Sequence, residues 1–200
     1  MKRILWDVDT QVDFIRADGR LAVPDAEAAV PAMAQLVAWA RAEGIPHVAS
    51  ADDHELTDDE ISETPDFAAT FPPHCLRGTR GAGKIAETEQ RDPVPLGAAE
   101  VPEQWLRGRE FLLLKKHFDV FTNPNTDRLL EWLAPDEVLL FGVATDICDD
   151  AAIRGLLARG HKVTYVEDAS CGIDDERSKA CVIDWRGGGV RVAKVEEIVA

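Results

Sequence analysis

The stretch "DEVLLFGVATDICDDAAIRGLLARGHKVTYVE" (Asp136 to Glu167) decides the fold. It opens on a continuous apolar run, "DEVLLFGV" (Asp136–Val143), and passes into an amphipathic segment, "DICDDAAIRGLLARG", closed by Gly160. A second apolar run follows, "HKVTYVE". A strand that is apolar at successive positions needs cover on both faces, and a helix between two such strands makes their pairing parallel.

The same rhythm extends in both directions. Upstream, "RILWDVD" (Arg3–Asp9) reads as the first strand, and "DAEAAVPAMAQLVAWARAEG" as a helix stopped at Gly44, with Pro31 in its first turn. "IPHVAS" (Ile45–Ser50) reads as the second strand and "REFLLLK", centred on Phe111–Leu114, as the third. Downstream of the opening unit, "DDERSKACVIDWRGG" reads as a helix and "VRVAKV" as the sixth strand. The pattern predicts an α/β chain: a three-layer α/β/α, doubly wound domain on a mainly parallel six-stranded sheet, with residues 1–200 forming a single domain. One connection breaks the rhythm. The segment from Asp52 to about Arg109 is rich in Pro, Gly, Asp and Glu and holds "FPPHCLRGTRGAG". Connections beyond about 12–15 residues are mostly functional or disordered, and this one reads as a functional excursion with some helix of its own.

Bulk properties narrow the classes. The formal net charge of −15 argues against a nucleic-acid or anionic-membrane surface. No apolar run approaches the roughly 18 residues of a membrane span. "MKRILWDVDTQVDF" is broken too early by Asp7 and Asp9 to serve as a signal peptide, so a cytoplasmic location is expected. Cys75, Cys148, Cys171 and Cys181 show neither C-x-x-C spacing nor the density of a disulfide scaffold. "GTRGAGK" does not follow a strand and lacks phosphate-loop spacing.

In open α/β sheets ligands sit beyond the carboxyl ends of the strands, where the strand order switches. The side chains delivered there are Asp9, Asp52 and His54, Lys115 and Lys116, and Cys148. Cys148 falls in the first turn of a helix capped by Thr145 or Asp146, where free N–H groups favour a thiolate and can hold an oxyanion. A buried structural cysteine fits the same position. Strand alternation puts Asp7 and Asp9 on one side, and spacing does not choose between them, nor between Lys115 and Lys116. Either lysine could lower the thiol pKa. Asp52, His54 and His74 offer two imidazoles and a carboxylate, a donor set suited to zinc, iron or manganese. Cys75, beside His74, reads as a core filler.

These segments together resemble the isochorismatase-like cysteine hydrolases, and among them the nicotinamidase branch. "DVDTQVDF" is similar to the family's D-x-Q-x-D-F opening, "KKHFDVF" to a lysine followed six positions later by phenylalanine, and "GVATDIC" to the nucleophile segment G-V-x-T-x-x-C. "YVEDAS" resembles the E-D-A after the next strand, and "DDH" with "FPPHCLRGT" resembles the nicotinamidase metal segments. The resemblance implies a triad of Asp9, Lys115 and Cys148, and a cis peptide at Val143–Ala144 that turns the Ala144 N–H toward an oxyanion shared with the Cys148 N–H. It also implies substrate contacts from Phe14 and Phe121, and a divalent metal, zinc first with iron or manganese possible, on Asp52, His54 and His74. The implied activity is hydrolysis of a small, nicotinamide-like carboxamide to its acid and ammonia through a thioester. Family members acting on ureidoacrylate, maleamate or N-carbamoylsarcosine, and a silent ligand-binding relative, are the alternatives. A homodimer or homotetramer is implied as well.

The chain departs from the family pattern at Asp53, at Asp119–Val120 and at Asp149–Asp150, just after the nucleophile. Asp53 and Asp119 are expected at the pocket or its rim, where carboxylates would disfavour anionic substrates.

Overall fold

The computed structural model describes residues 1–200 and builds them around seven parallel strands: β1 (Arg3–Val8), β2 (His47–Asp52), β3 (Val94–Leu96), β4 (Glu110–Lys115), β5 (Glu137–Gly142), β6 (Val163–Val166) and β7 (Arg191–Ala193). Their spatial order is β3-β4-β2-β1-β5-β6-β7. The order reverses between β1 and β5, so the switch point lies where "RILWDV" and "EVLLFG" run side by side, Ile4 against Val138 and Val8 against Gly142. The sheet has one strand more than the six expected. The addition, β3, is a three-residue edge strand inside the long excursion, paired to β4. A run so short, with Pro95 at its middle, carries no alternation to read, and an edge tolerates the proline.

Both faces are covered, as continuous apolar strands require. Successive residues of β1 and β5 feed opposite layers. Ile4, Trp6, Val8, Val138 and Leu140 join the cluster under α3 (Thr126–Leu133), α4 (Asp150–Ala158) and α5 (Asp175–Gly187). Leu5, Leu139 and Phe141 join the one under α2 (Ala26–Ala42) and α6 (Val195–Val199). A one-turn helix, α1 (Val12–Ile15), leads out of the switch region. The stripe Val30, Met33, Leu36 and Val37 anchors α2, each side chain contributing roughly 1.5–3 kcal/mol of burial. Pro31 lies inside α2 rather than in its first turn, because the helix starts at Ala26 after Asp25 in a left-handed conformation. Gly44 ends the segment with φ +66°, as expected of a helix stop. Helix α3 was not apparent in the pattern, and no helix of the chain is long and apolar enough to cross a membrane.

Gly142 shows why β5 must end as it does. Its φ is +138°, and a Cβ there would lie 2.1 Å from the Val8 carbonyl oxygen, so only glycine lets the chain pass β1 and enter the turn bearing Cys148.

Candidate active site

Four strand ends, those of β1, β2, β4 and β5, deliver polar side chains to the floor of a single crevice. Asp9 is the first residue past β1 and stands at φ 51°, a conformation uncommon for a residue with a Cβ and concentrated at functional positions. That turn removes Asp9 from the alternation of the strand, which the sequence reading had extended to it. Asp7, still in β1, instead meets Lys84 Nζ at 2.8 Å and His47 Nε2 at 3.3 Å. Lys115 ends β4 directly opposite Asp52 at the end of β2. Its ammonium is fully buried and sits 2.9 Å from Asp9 Oδ2. It also donates a short hydrogen bond to Asp52 Oδ1 and lies 3.9 Å from Cys148 Sγ. Lys116 points elsewhere, to Asp58 at 2.8 Å. The structure therefore brings Asp9, Lys115 and Cys148 together and leaves Asp7 and Lys116 out.

Two neighbours hold this arrangement. Ser50 donates to Asp9 Oδ1 at 2.7 Å. Gln11, in the stretch "DVDTQVDF", clamps the end of β2: its amide donates to the Asp52 carbonyl at 2.8 Å and its oxygen accepts from the Asp52 N–H at 2.7 Å. Asp13 of the same stretch accepts from the Cys75 N–H at 2.7 Å and so fixes the loop that presents His74. These positioning roles of Gln11 and Asp13 were invisible to strand-end reasoning, because their partners, the backbones of Asp52 and Cys75, come from segments distant in sequence.

Cys148 occupies a wide π-helical turn, Thr145–Asp149, that runs into α4. The preceding residue, Ala144, makes no side-chain cap, and the Asp146 carboxylate is spent instead on the Ile173 N–H at 2.8 Å and on Arg177 at 2.8 Å. The Val143–Ala144 peptide is cis. The electrostatics differ from the expected preformed thiolate. Burial pushes the Cys148 thiol well above its ordinary range, Lys115 opposes this only in part, and Asp9 and Asp52 add to the rise. Burial likewise raises the Asp9 carboxyl against the pull of Lys115. For Asp52 the balance goes the other way: Lys115 and the imidazoles of His54 and His74 outweigh burial and hold it well below the usual carboxylate range. The balance disfavours a resting thiolate, with a carboxyl and a cation beside the sulfur.

Above this floor lies a cavity enclosing about 350 Å³, open mouth included. Phe14, Phe71, Phe118 and Ile147 form its apolar walls, Cys148 and Ala144 are at its base, and no lysine or arginine lines it. Phe14 thus stands in the cavity wall, its ring 5.3 Å from that of His74. Phe121 does not: its ring packs 6.5 Å from Trp6 and carries the Arg159 guanidinium 3.8 Å above it, on the α4 side of the sheet. The aromatic residue that reaches the cavity from this segment is Phe118. Asp53 and Asp119 are also absent from the lining. Asp53 pairs with Arg77, and Asp119 accepts from the Phe121 N–H at 2.9 Å.

One wall of the cavity is a cluster of potential metal ligands. Asp52, His54 and His74 are joined by Glu60, with one donor atom of each within 4.8 Å of all the others and every residue buried. His74 Nδ1 lies 2.7 Å from the Pro72 carbonyl, and His54 Nδ1 lies 3.3 Å from Asp58 Oδ2. Both rings are thereby oriented with Nε2 inward, the arrangement that makes an imidazole a ligand. His54 Nε2 is buried with no hydrogen-bond partner, 3.7 Å from Asp52 Oδ2 and 4.0 Å from Glu60 Oε1. An orphaned imidazole nitrogen facing two carboxylates fits a divalent cation, and two nitrogens with two oxygens suit zinc, iron or manganese. Glu60 escaped the sequence reading because it sits in the acidic run "HELTDDE", where nothing distinguishes it from its neighbours. Cys75 is buried nearby with its thiol held neutral by burial, and it is outside the cluster.

A sheet of this order with a cysteine, a lysine and an aspartate at its switch point defines a class. A family profile described as "Isochorismatase domain" matches residues 4–197, and the chain belongs to that family. Among curated relatives it is 29% identical over 193 residues to a nicotinamidase/pyrazinamidase of Mycobacterium tuberculosis, covering 95% of this chain and 97% of that one. It is 29% identical over 189 residues to a nicotinamidase of Escherichia coli, covering 86% and 84%. Among solved structures, an N-carbamoylsarcosine amidase from Thermoplasma acidophilum superposes with a TM-score of 0.75 at 26% identity, over 98% of this chain and 97% of that one. The pyrazinamidase of Pyrococcus horikoshii in complex with zinc shares the fold, with a TM-score of 0.73 at 21% identity over 97% and 99%. The chain is an isochorismatase-family hydrolase, an amide-hydrolysing enzyme.

Proposed function

We propose that this enzyme is a metal-dependent cysteine amidohydrolase that converts a small, uncharged heteroaromatic carboxamide of the nicotinamide type to its acid and ammonia. The observation that carries the reading is the meeting of Lys115 Nζ with Asp9 at 2.9 Å and Cys148 Sγ at 3.9 Å beneath an apolar cavity.

The steps follow from the geometry. Asp9 takes the thiol proton as Sγ forms its bond to the amide carbon, and Lys115 stabilises the negative charge on sulfur. The N–H groups of Ala144 and Cys148 hold the tetrahedral oxyanion. The carbon–nitrogen bond then breaks as Asp9 returns its proton to the departing amine, leaving a thioester and ammonia. Water attacks the thioester, Asp9 accepts its proton, and Sγ leaves and is reprotonated. The apolar walls exclude competing water. A divalent ion held by Asp52, His54, Glu60 and His74 would supply an electrophile that binds a ring nitrogen and orients the heterocycle.

The cavity lining favours this substrate class over the carboxylate-bearing amides of the family, since it offers neither arginine nor lysine to pair with a second carboxylate. The test is ammonia release from a panel of nicotinamide, pyrazinamide, maleamate, ureidoacrylate and N-carbamoylsarcosine, by the wild type and by Cys148→Ala. The two heteroaromatic amides are expected to lead the panel and the variant to be silent. Turnover by Cys148→Ala would refute covalent catalysis, and a lead for any carboxylate-bearing amide would refute the substrate class.

A further inference from the structure

The string "GTRGAGK" (Gly78–Lys84), which lacks phosphate-loop spacing, is laced along the residues that follow Asp9. The Val12 and Asp13 N–H groups donate to the Gly83 and Gly81 carbonyls at 2.8 and 3.1 Å, and the Ile85 N–H donates to the Thr10 carbonyl at 3.0 Å. A Cβ on Gly81 would fall 2.2 Å from the Asp13 carboxylate, so only glycine lets the segment lie this close.

The last residue of the string turns inward. Lys84 has a side chain only 7% exposed and donates to Asp7 Oδ2 at 2.8 Å and to Thr10 Oγ1 at 2.7 Å. Thr10 in turn donates to Asp7 Oδ1 at 2.8 Å and lies 2.6 Å from Thr88 Oγ1. Asp7, Thr10 and Thr88 are all fully buried. The one proton and two lone pairs of the Thr10 hydroxyl are thus all engaged, by Asp7, Lys84 and Thr88. Burial pushes the Asp7 carboxyl up, but Lys84 and His47 outweigh it and hold the group below its ordinary range.

Asp9 stands inside this ring of bonds. Asp7 lies two residues before it, Thr10 one residue after it, and Lys84 ties the two together. A residue with a Cβ at φ 51° persists only where its surroundings over-determine the conformation. Ahead of the turn the chain is fixed by the pairing of β1 and by the Asp9 N–H, which donates to the Ser50 carbonyl at 3.3 Å. Behind it the Thr10 side chain is the anchor. Neither Lys84 nor Thr10 lines the cavity, so their effect on the base passes through the backbone.

We propose that Lys84 and Thr10 are positioning residues for Asp9: together with Asp7 they lock the left-handed turn that holds the base 2.9 Å from Lys115. The kinetic consequence rests on the amidohydrolase reading above, while the geometry of the turn does not.

Thr10→Val tests this most cleanly, because it keeps the shape of the side chain and removes only the hydroxyl. Asp7 retains Lys84 and His47, and Thr88 retains the Ile85 carbonyl, so no buried charge is orphaned. A misplacement of about 1 Å at a reacting group costs up to about 10²-fold, so kcat is expected to fall by at least about tenfold with KM within about twofold. Zinc uptake is expected to be unchanged, and Thr10→Ser, which restores the hydroxyl, is expected to recover most of the rate. Crystal structures are expected to show the Asp9 carboxylate shifted away from Lys115 in the valine variant and in place in the serine variant. The double variant Asp7→Asn/Lys84→Met, which removes both charges together, carries the same comparison if the valine variant does not fold. Superimposable Asp9 carboxylates, a folded valine variant with the wild-type kcat, or a serine variant as slow as valine would each overturn the proposal. A wild type that releases ammonia from no amide would refute the functional reading, and the crystal comparison would still decide whether Lys84 and Thr10 hold the turn.

Discussion

Replacing Lys115 by methionine, which preserves length and removes the charge, tests the centre of the site. The ammonium is wholly buried and serves Asp9 and Asp52 together. Without it two buried carboxyls lose their shared counter-charge. Removing one partner from a buried ion pair costs roughly 3–5 kcal/mol, mostly the penalty of the charge left behind. For a chain of this length each kcal/mol corresponds to about 2–4 °C, so the melting midpoint of the metal-free protein is expected to fall by roughly 6–20 °C at pH 7. The deficit has a definite pH dependence. In the wild type Asp52 is held below its unfolded affinity for protons, so its contribution is present above about pH 4 and is lost as the pH falls. In the variant both carboxyls lose that counter-charge and move up, so the folded variant binds protons more readily than the folded wild type and the deficit grows as the pH rises beyond about 4. The two curves therefore converge toward acid and separate toward neutrality. Circular-dichroism melts of chelator-treated protein from pH 4 to 8 read this directly, and kcat is expected to drop by a factor of about 10²–10⁴. A deficit below about 1 kcal/mol, or one that does not change with pH, would show that Lys115 is not the counter-ion of these acids.

Three further outcomes follow from other parts of the molecule. Chelation is expected to remove one divalent ion per chain and abolish turnover. Zinc should restore both, and should raise the melting midpoint by the equivalent of about 2.7 kcal/mol at a hundredfold excess over Kd; Glu60→Gln is expected to weaken zinc binding by at least roughly tenfold in calorimetry, and unchanged affinity would remove Glu60 from the ligand set. Gly155→Ala would place a Cβ 2.2 Å from the ring of Phe121, which is held between Trp6 and Arg159. Overpacking costs about 1–3 kcal/mol against a gain of about 1 kcal/mol in helix propensity, so urea denaturation should show a net loss that Phe121→Leu relieves.

Much of the scaffold was legible because burial on both faces writes itself into composition. "EVLLFG" and "RILWDV" are apolar at nearly every position, and only a covered parallel strand explains that. The pool of candidates was legible for a related reason: strand ends are where such a sheet presents reactive groups, and Asp7 or Asp9, Lys115 or Lys116, and Cys148 fall at or beyond apolar runs, while the choice of Asp9 and Lys115 came from the family resemblance. What stayed hidden depended on contacts between distant segments. β3 takes its identity from its partner β4 rather than from its own three residues. Phe118 and Phe121 are separated by one short turn, and only the packing decides that one lines the cavity while the other fills the core.

The sequence by itself determined the layered α/β architecture and the chemical groups available at the switch point, because periodicity and residue type are local properties. The tertiary structure decided which of those groups meet. It paired Lys115 rather than Lys116 with Asp9 and recruited Glu60 to the two histidines. Charge balance in a buried site is a sum over neighbours from different strands, and no linear pattern records that sum.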